Sequence, residues 1–444
     1  MPNRPAQLSA AFSKNSKVVK PHSNLLSRRL ARVGSQYLFY SDPITIVRGE
    51  GAWLFDDNKR RYLDCYNNVA SVGHCHPKVV KALTSQAATL NTHTRYLHPT
   101  LVEYAELLVE KMPGALNVCH FVCTGTEAND LAVRMARAYT EHQGLVVLEN
   151  SYHGCSTLVD ELSTTLNPSP PAYVHSVEPP NIYRGTHRGD DAGQHYAALV
   201  TDACETLNKQ GHGVAAFLCD TAFDTQGTLD APIDYFSRVQ KAVHQRGGLF
   251  IADEVQAGLC RTGAFWGFQN YDLVPDIVTL GKPMGNGHPI AVVITTQAIS
   301  EKFAEKALYF NTFGGNPVSA AVGKAVLEVV YNEKILEHTQ RVGAYLKSEL
   351  HELAKRHPVI GDIRGRGLFY GVELVTNGDT LEPAEKIARE VPDRMRAHGV
   401  LLGLSGRFGN VIKIRPPLVI TEKQCDLLIA ALDQTLHELS GEET

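Results

Sequence analysis

Two short apolar runs that each lead to a charged side chain constrain this chain more than any other feature. The first runs from Leu249 to Asp253, and the second, from Ile277 to Leu280, continues through Gly281 to Lys282. Short β-branched runs that stop at a polar residue are typical of buried parallel strands. Open α/β sheets bind ligands at the carboxyl ends of their strands. The pattern therefore predicts that Asp253 and Lys282 face one crevice.

Similar apolar runs alternate with helical patterns between Phe121 and Val293. They include residues 121–123, 145–148 and 214–220, and each leads into polar side chains. Strands that alternate with helices over this length predict one mostly parallel sheet covered by helices. The expected fold class is α/β, with five successive strand ends directing polar groups into one crevice.

The length of 444 residues exceeds what one hydrophobic core serves, so more than one packed region is expected. The predicted organisation is an N-terminal arm and small platform (1–76), a large sheet-containing domain (77–330) and a small α+β domain (331–444). The first 25 or so residues are polar and predict an arm that is mobile or ordered by a partner subunit. The proline-rich stretch 163–193 predicts a long irregular insertion.

Composition excludes several classes of function. The formal net charge of −4 predicts no general affinity for nucleic acid or anionic membranes. No apolar run reaches membrane-spanning length, and no secretory signal is recognisable. Nine scattered cysteines indicate reduced core residues and a cytoplasmic location. The triplet at residues 74–76, His-Cys-His, lacks a second pair at zinc spacing, so no metal is expected.

The junction Thr124-Gly125-Thr126-Glu127 has two interpretations. Free amides at the helix start, together with the Thr126 hydroxyl, form an anion site that suits phosphate, and Gly125 permits close backbone approach. Alternatively, the junction is an ordinary helix cap made by Thr124 or Thr126, with Glu127 favoured by the helix dipole.

Lys282 and Tyr152 also have two interpretations each. Lys282 is either a surface lysine in a Gly/Pro turn or a desolvated lysine that forms a Schiff base with pyridoxal phosphate (PLP). In the second case Asp253 would keep the PLP ring nitrogen protonated. Tyr152 either covers a flat cofactor ring or is an ordinary half-buried tyrosine.

The residues 252–256 (Ala-Asp-Glu-Val-Gln), Lys282, the upstream Gly125-Thr126 and the downstream Asn311-Thr312 together resemble the class III (ω) aminotransferases of PLP fold type I. The resemblance extends from about residue 37 to the C-terminus and implies PLP as the cofactor. It implies that Lys282 forms the Schiff base and later moves protons, and that Asp253 pairs with the pyridine nitrogen.

The resemblance also implies which residues surround the cofactor. Val255 and Tyr152 would sandwich the ring, and Gln256 would lie near the phenolic oxygen. The phosphate would be held by Gly125 and Thr126. Thr312 would complete the phosphate site from the other subunit, so a homodimer is the expected active unit.

The chain departs from the family at two positions that matter for the substrate. Ornithine- and 4-aminobutyrate-type members carry an arginine for the substrate carboxylate near a C-terminal Pro-Pro pair, where this chain has Lys413. Those members also carry a glutamate that gates this arginine, and the matching position here is taken to be Thr225. An altered carboxylate site counts against an aminotransferase.

Other stretches are similar to the ethanolamine-phosphate and phosphohydroxylysine phospho-lyases of the same family, among them residues 67–70, 73–77, 95–98, 281–289 and 309–312. That similarity implies elimination of phosphate from O-phosphoethanolamine or a related amino-phosphate, giving acetaldehyde, ammonia and phosphate. The substrate phosphate needs cationic donors, for which Arg95 and Lys413 are the first candidates and Asn67 and His74 the next.

Two other functions stay open. An ω-aminotransferase would transfer an amino group from an amine to pyruvate or 2-oxoglutarate, and Arg415 could serve as its carboxylate arginine, because a shift of two residues keeps the same face of a strand. A non-catalytic scaffold would keep the fold without the chemistry, but the joint presence of Lys282, Asp253 and Gln256 argues against it.

Overall fold

The computed structural model describes residues 23–34 and 38–441. The predicted N-terminal arm before residue 23 lies outside the described residues. Sixteen strands and twelve α-helices occur in the described part of the chain. In chain order the strands are β1 (Ile46–Glu50), β2 (Trp53–Asp56), β3 (Arg61–Asp64), β4 (Val118–Val122), β5 (Leu145–Leu148), β6 (Val174–Val177), β7 (Ala216–Asp220), β8 (Leu249–Asp253), β9 (Ile277–Leu280), β10 (Ala291–Thr295), β11 (Ile360–Arg366), β12 (Phe369–Asn377), β13 (Glu382–Pro383), β14 (Val400–Leu401), β15 (Gly403–Ser405) and β16 (Val411–Ile414).

The helices cover the sheets and connect the strands. In chain order they are α1 (Ser23–Arg32), α2 (Pro77–Thr89), α3 (Pro99–Val109), α4 (Gly125–Thr140), α5 (Thr157–Asp160), α6 (Ala192–Lys209), α7 (Tyr235–His244), α8 (Gln297–Lys306), α9 (Pro317–Asn332), α10 (Ile335–Ala354), α11 (Glu385–Ala397) and α12 (Glu422–Gly441), with short 3-10 turns at Gly267–Tyr271 and Lys282–Gly285.

A seven-stranded sheet forms the centre of the fold, in the order β4-β10-β9-β8-β7-β5-β6. Strand β10 is antiparallel to both of its neighbours, and the remaining neighbours are parallel. The predicted α/β class with a mostly parallel sheet is therefore confirmed. Because six strands share one direction, their carboxyl ends meet at one edge.

Alternate side chains of these strands feed two separate apolar layers. Phe217 and Phe250 pack on one face among residues of α6 and α7, and Leu218 and Ile251 pack on the other among residues of α4. All four are fully buried. The period of two along a strand explains this division, and burial on both faces explains why the runs are continuously apolar.

Two smaller sheets lie outside the central one. The order β1-β2-β3-β14 joins the N-terminal platform to a strand from the C-terminal region, and the order β11-β12-β16-β15 carries β13 on β12. The three-part division of the chain stays a prediction. The stretch 163–193 is not wholly irregular as predicted, because it contains β6, an edge strand of the central sheet. Its four residues, Val-His-Ser-Val, are too few and too polar to stand out among prolines.

Gly323 lies where α9 packs against α3, and it gives a test of this packing. A Cβ atom there would lie 2.4 Å from a ring carbon of the fully buried Tyr104. Alanine should add about 1 kcal/mol of helix propensity, but the overpacking cost of about 1–3 kcal/mol should exceed it. We expect Gly323→Ala to lower the urea midpoint of unfolding. Gly378→Ala is the control because its Cβ would meet nothing within 4 Å, and equal midpoints for the two variants would contradict the packing argument.

Candidate active site

Three neighbouring strands bring acidic and basic side chains to one edge of the central sheet. Asp220 ends β7 and lies opposite Asp253, the last residue of β8, while Asp253 is paired in register with Thr279 of β9. Gly281 and Lys282 follow β9 directly. The structure therefore places Asp253 and Lys282 at the same edge, where the sequence predicted them.

The carboxylate of Asp253 is buried and held by three donors. Asn129 Nδ2 donates to Asp253 Oδ2 at 2.9 Å, and His153 Nδ1 lies 2.8 Å from the same oxygen. The backbone N–H of Val255 donates to Oδ1 at 3.1 Å. Asn129 is itself fixed, because it accepts a hydrogen bond of 2.6 Å from the Thr279 hydroxyl. The carboxylate has one orientation as a result.

Lys282 begins a short 3-10 turn that follows β9. Burial lowers the pKa of its ammonium group, and the nearby Arg415 lowers it further, against the attraction of Asp253 and Asp224. A lowered pKa raises the fraction of neutral amine, which is the form that attacks carbonyl groups and accepts protons.

The first turn of α4, which follows β4, presents backbone amides that suit an anion. The Thr124 hydroxyl accepts from the Glu127 N–H at 3.1 Å, and Glu127 Oε2 accepts from the N–H groups of Cys123 and Thr124. Thr124 is therefore the cap, which leaves Thr126 available for another partner. The first amides of a helix have no intrahelical acceptor and attract anions.

Glycines allow these elements to approach closely. A Cβ on Gly125 would lie 3.0 Å from Val255 Cγ1, and a Cβ on Gly281 would lie 3.3 Å from the Gly125 nitrogen. Gly154 has a φ of +144°, and a Cβ there would lie 2.7 Å from Thr126 Oγ1. Side chains at these positions would occupy the space beside the helix start.

These features fit PLP. An oriented buried carboxylate suits a protonated ring nitrogen, a lysine of lowered pKa suits a Schiff base, and a helix N-terminus suits a phosphate. Val255 is buried beside Gly125, and Tyr152, which lies just after β5, is half-exposed.

A cluster of buried charge lies at the other end of the crevice. Lys413 Nζ is 3.0 Å from Asp224 Oδ1, and Arg415 Nη1 is 3.4 Å from Asp224 Oδ2. Gln256 joins them, because its Nε2 donates to Asp224 at 2.7 Å and its Oε1 accepts from Arg415 at 2.8 Å. Asp224, Lys413 and Arg415 are each less than 10% exposed.

The pKa values in this cluster follow from burial and charge. Burial by itself would raise the pKa of Asp224, but Lys413 and Arg415 outweigh it and hold that pKa below its ordinary value. Burial lowers the pKa of Lys413 despite the attraction of Asp224. For Asp220, burial and then the charges of Asp253 and Asp224 raise the pKa to about 7.

That Thr225 stands at the position of the family's gating glutamate stays a prediction, but the side chain that faces the C-terminal cations belongs to its neighbour. The carboxylate stands one residue earlier, at Asp224, and both Lys413 and Arg415 pair with it. The Thr225 side chain instead donates to the backbone oxygen of Asn150 at 2.6 Å. Position in the sequence alone could not show that Asp224 faces these cations, because the turn between Asp220 and Thr228 decides which side chain points inward.

The remaining predicted substrate residues have other contacts. His74 Nε2 lies 2.7 Å from the buried Asp64 carboxylate, and Asn67 Oδ1 accepts from the Val69 N–H at 3.0 Å. Arg95 is exposed, with its guanidinium 4.0 Å from the Phe310 ring centroid.

Four residues of the site were missed by sequence reasoning, namely Asn68, Asn129, His153 and Asp224. A signal existed for His153, which follows Tyr152 at a strand end, and for Asn129, which lies one turn into α4.

Among the described residues, no group of three or more His, Cys, Asp or Glu side chains could hold a metal ion. No helix in the described ranges is long and apolar enough to cross a membrane.

Comparisons with known proteins agree with this geometry. The profile of the class-III aminotransferases matches residues 39–436. An alanine–glyoxylate aminotransferase 2-like protein of Drosophila melanogaster is 43% identical over 419 residues, which are 91% of this chain and 85% of that protein. Ethanolamine-phosphate phospho-lyase homolog 1 of Caenorhabditis elegans is 40% identical over 444 residues, 95% and 94% of the two chains. The structure of a phospholyase from Arthrobacter in complex with phosphoethanolamine superposes with a TM-score of 0.90 at 40% identity, covering 93% and 99% of the two chains.

The shared carboxylate of Asp224 gives a stability test. Asp224→Asn would leave Lys413 and Arg415 buried without an acid, which should lower the free energy of unfolding by about 3–5 kcal/mol. The double variant Asp224→Asn/Lys413→Met should regain part of that loss, because it removes one of the two unpaired cations. Urea unfolding of the cofactor-free protein measures both, with Lys413→Met as the matched single variant. A loss below about 1 kcal/mol for Asp224→Asn would show that the cluster is solvated.

Proposed function

Because this chain belongs to the class III aminotransferase family, whose members are PLP-dependent enzymes, we propose that it is a phospho-lyase acting on O-phosphoethanolamine or a related amino-phosphate. The observation that carries the proposal is the charge cluster, in which one carboxylate, Asp224, faces two buried cations, Lys413 and Arg415. One positive charge is left for an anionic substrate group. The similarity to the phospholyase with phosphoethanolamine supports a phosphate as that group.

When bound, PLP supplies an electron-accepting ring that stabilises the charge left when a C–H bond next to the substrate nitrogen breaks. Asp253 would hold the ring nitrogen protonated, and Asn129 and His153 keep its carboxylate in place. Gly125 and Thr126 would bind the cofactor phosphate.

Val255 and Tyr152 would lie on the two faces of the ring, and Gln256 would lie beside its phenolic oxygen. Val255 and Gln256 lie two and three residues after Asp253, so the end of β8 and the turn that follows it would supply all three contacts.

Lys282 would carry the Schiff base before the substrate arrives and act as the base afterwards. Its Nζ would take the proton from the carbon that bears the substrate nitrogen, a transfer that the lowered pKa of Lys282 favours. The substrate phosphate would then leave from the neighbouring carbon with the C–O bonding pair. With one water, the remaining two-carbon fragment gives acetaldehyde and ammonia, and the third product is inorganic phosphate.

Lys413 and Arg415 would bind the substrate phosphate, and their ion pairs with Asp224 would weaken as the phosphate takes its place. Charge-assisted hydrogen bonds of this kind are stronger than neutral ones. Asn67, His74 and Arg95 remain secondary candidates, and the first two lie in the loop that reaches the site through Asn68.

A homodimer is part of the proposal. Thr312 is exposed, in a surface that also exposes large apolar side chains. Tyr96, Leu97, Leu308 and Phe313 are 67–102% exposed. A second copy covering this patch would place each Thr312 beside the phosphate site of the other subunit.

A cytoplasmic location is also proposed, since all nine cysteines are free.

A class III aminotransferase acting on an amine is the second candidate. The observation that favours it is the pairing of Arg415 with Asp224, because a guanidinium released from an acid also suits a substrate carboxylate. The Drosophila relative supports this reading.

Incubation of the PLP-loaded protein with O-phosphoethanolamine, without any keto acid, separates the two candidates. We expect phosphate, acetaldehyde and ammonia in equal amounts over many turnovers. Amino transfer that appears only when pyruvate or glyoxylate is added, without phosphate release, would leave the aminotransferase.

Two substitutions test the assigned roles in the same assay. Lys282→Ala should lower kcat by about 10²- to 10⁴-fold or more, because both the Schiff base and the proton acceptor are lost. Asp253→Asn should lower kcat by about 10²- to 10³-fold, since a charge that stabilises the transition state is removed. Asp272→Asn is the matched control, because Asp272 is exposed with a φ of +50°, a conformation that asparagine tolerates. Full activity of Lys282→Ala would exclude its catalytic role.

A further inference from the structure

Asn68 is buried between two parts of the site that the sequence did not connect to it. Asn68 Nδ2 donates to the Gln256 side-chain oxygen at 2.9 Å and to the Gln256 backbone oxygen at 3.0 Å. Its own side-chain oxygen accepts from Arg261 Nε at 2.9 Å. Asn68 is 2% exposed and Arg261 is 1% exposed, so neither has water as an alternative partner.

Arg261 fixes the direction of this chain of hydrogen bonds. Guanidinium groups only donate, so the group of Asn68 that faces Arg261 must be its oxygen. The other acceptors of Arg261 are the backbone oxygens of Leu368 and Pro416. Burial, followed by repulsion from Arg415, lowers the pKa of Arg261 to about 9, which leaves it protonated at neutral pH.

The orientation of the Asn68 amide in turn determines the orientation of the Gln256 amide. Since the Asn68 oxygen faces Arg261, its NH2 group faces Gln256, which must offer its oxygen in return. Arg415 donates to that same oxygen at 2.8 Å, and Asp224, which only accepts when ionised, lies 2.7 Å from Gln256 Nε2. Every partner therefore requires the same orientation of the Gln256 amide.

We propose that Asn68, oriented by Arg261, is a positioning residue that holds the Gln256 amide so that it offers the cofactor an N–H donor and not an oxygen. One hydrogen of Gln256 Nε2 goes to Asp224, and the second has no acceptor among the described residues. This inference rests on the proposed place of Gln256 beside the phenolic oxygen. It does not depend on which reaction follows.

The pH midpoint of the visible absorbance of bound PLP reports this donor without any substrate. A donor to the phenolic oxygen favours its anionic form and lowers the midpoint. Gln256→Leu should therefore raise the midpoint, by about half a unit or more for one hydrogen bond. Asn68→Asp should also raise it, but by less, because the new carboxylate repels the Gln256 oxygen and displaces the amide, while Arg415 and Asp224 still favour its present orientation.

A double-mutant cycle separates positioning from the direct effect of an added charge. If Asn68 acts through Gln256, the double variant Asn68→Asp/Gln256→Leu should have the midpoint of Gln256→Leu alone. Additive shifts would overturn the proposal, because the new charge would then act on the cofactor directly. An unchanged midpoint for Asn68→Asp, with a raised one for Gln256→Leu, would also overturn it.

Two further variants complete the experiment. Asn270→Ala removes two side-chain hydrogen bonds, to Thr262, which follows Arg261, and to the Gly267 backbone, and neither bond involves Gln256 or Asn68. Its midpoint should equal that of the unsubstituted protein, and a rise as large as that of Asn68→Asp would overturn the proposal. If Asn68→Asp does not retain PLP, Asn68→Ala takes its place in the cycle. It should give a smaller rise that disappears in the Gln256→Leu background, and no rise would overturn the proposal.

An unchanged midpoint for Gln256→Leu would overturn both the positioning role and the placement of Gln256. The lyase proposal would be unaffected, because phosphate release is measured separately. Failure of the two proposals is thus distinguishable.

Discussion

The pairing of buried charges at one sheet edge is the interaction on which the rest of the site depends. Asp224 is shared by Lys413 and Arg415, and Asp253 is held by donors from Asn129 and His153. Burying a charge without partners costs free energy, so each carboxylate needs hydrogen-bond donors or cations from other parts of the chain. The two acids therefore differ in what they can do. Asp253 is fixed, whereas Asp224 holds two cations that the proposed function assigns to an anionic substrate group.

Loops from distant parts of the chain hold this arrangement together. Asn150 Nδ2 donates to the Thr225 oxygen at 2.6 Å, and Arg364 Nε donates to the Gly227 oxygen at 2.8 Å. The turn that carries Asp224 is thus fixed from both the central sheet and the C-terminal sheet. On the other side, the Ser71 hydroxyl donates to the Pro283 oxygen at 3.0 Å, next to Lys282. The N-terminal loop, the central strands and the C-terminal strands each supply part of one crevice.

In the proposed function, the two candidate reactions would use the same cofactor site and differ at the charge cluster. Proton removal next to the substrate nitrogen suits either reaction, and a leaving group on the neighbouring carbon then allows elimination. In the proposed function, Lys413, Arg415 and Asp224 would make the choice between phosphate and carboxylate, because they would determine the charge and shape that the substrate must present. The excess of cations over carboxylates in this cluster favours the more highly charged group.

The sequence by itself determined the α/β class, the PLP-dependent family and the strand ends at which Asp253 and Lys282 lie. It could do so because strand periodicity and the order of strands and helices are local properties of the chain. Only the tertiary structure decided that Asp224, not Thr225, faces Lys413 and Arg415, and that Asn68 connects Arg261 to Gln256. These contacts join residues more than 150 positions apart, and the direction of a side chain in an irregular turn depends on partners that no local pattern records. Burial forces polar groups to find such partners, and the folded chain alone specifies which ones they are.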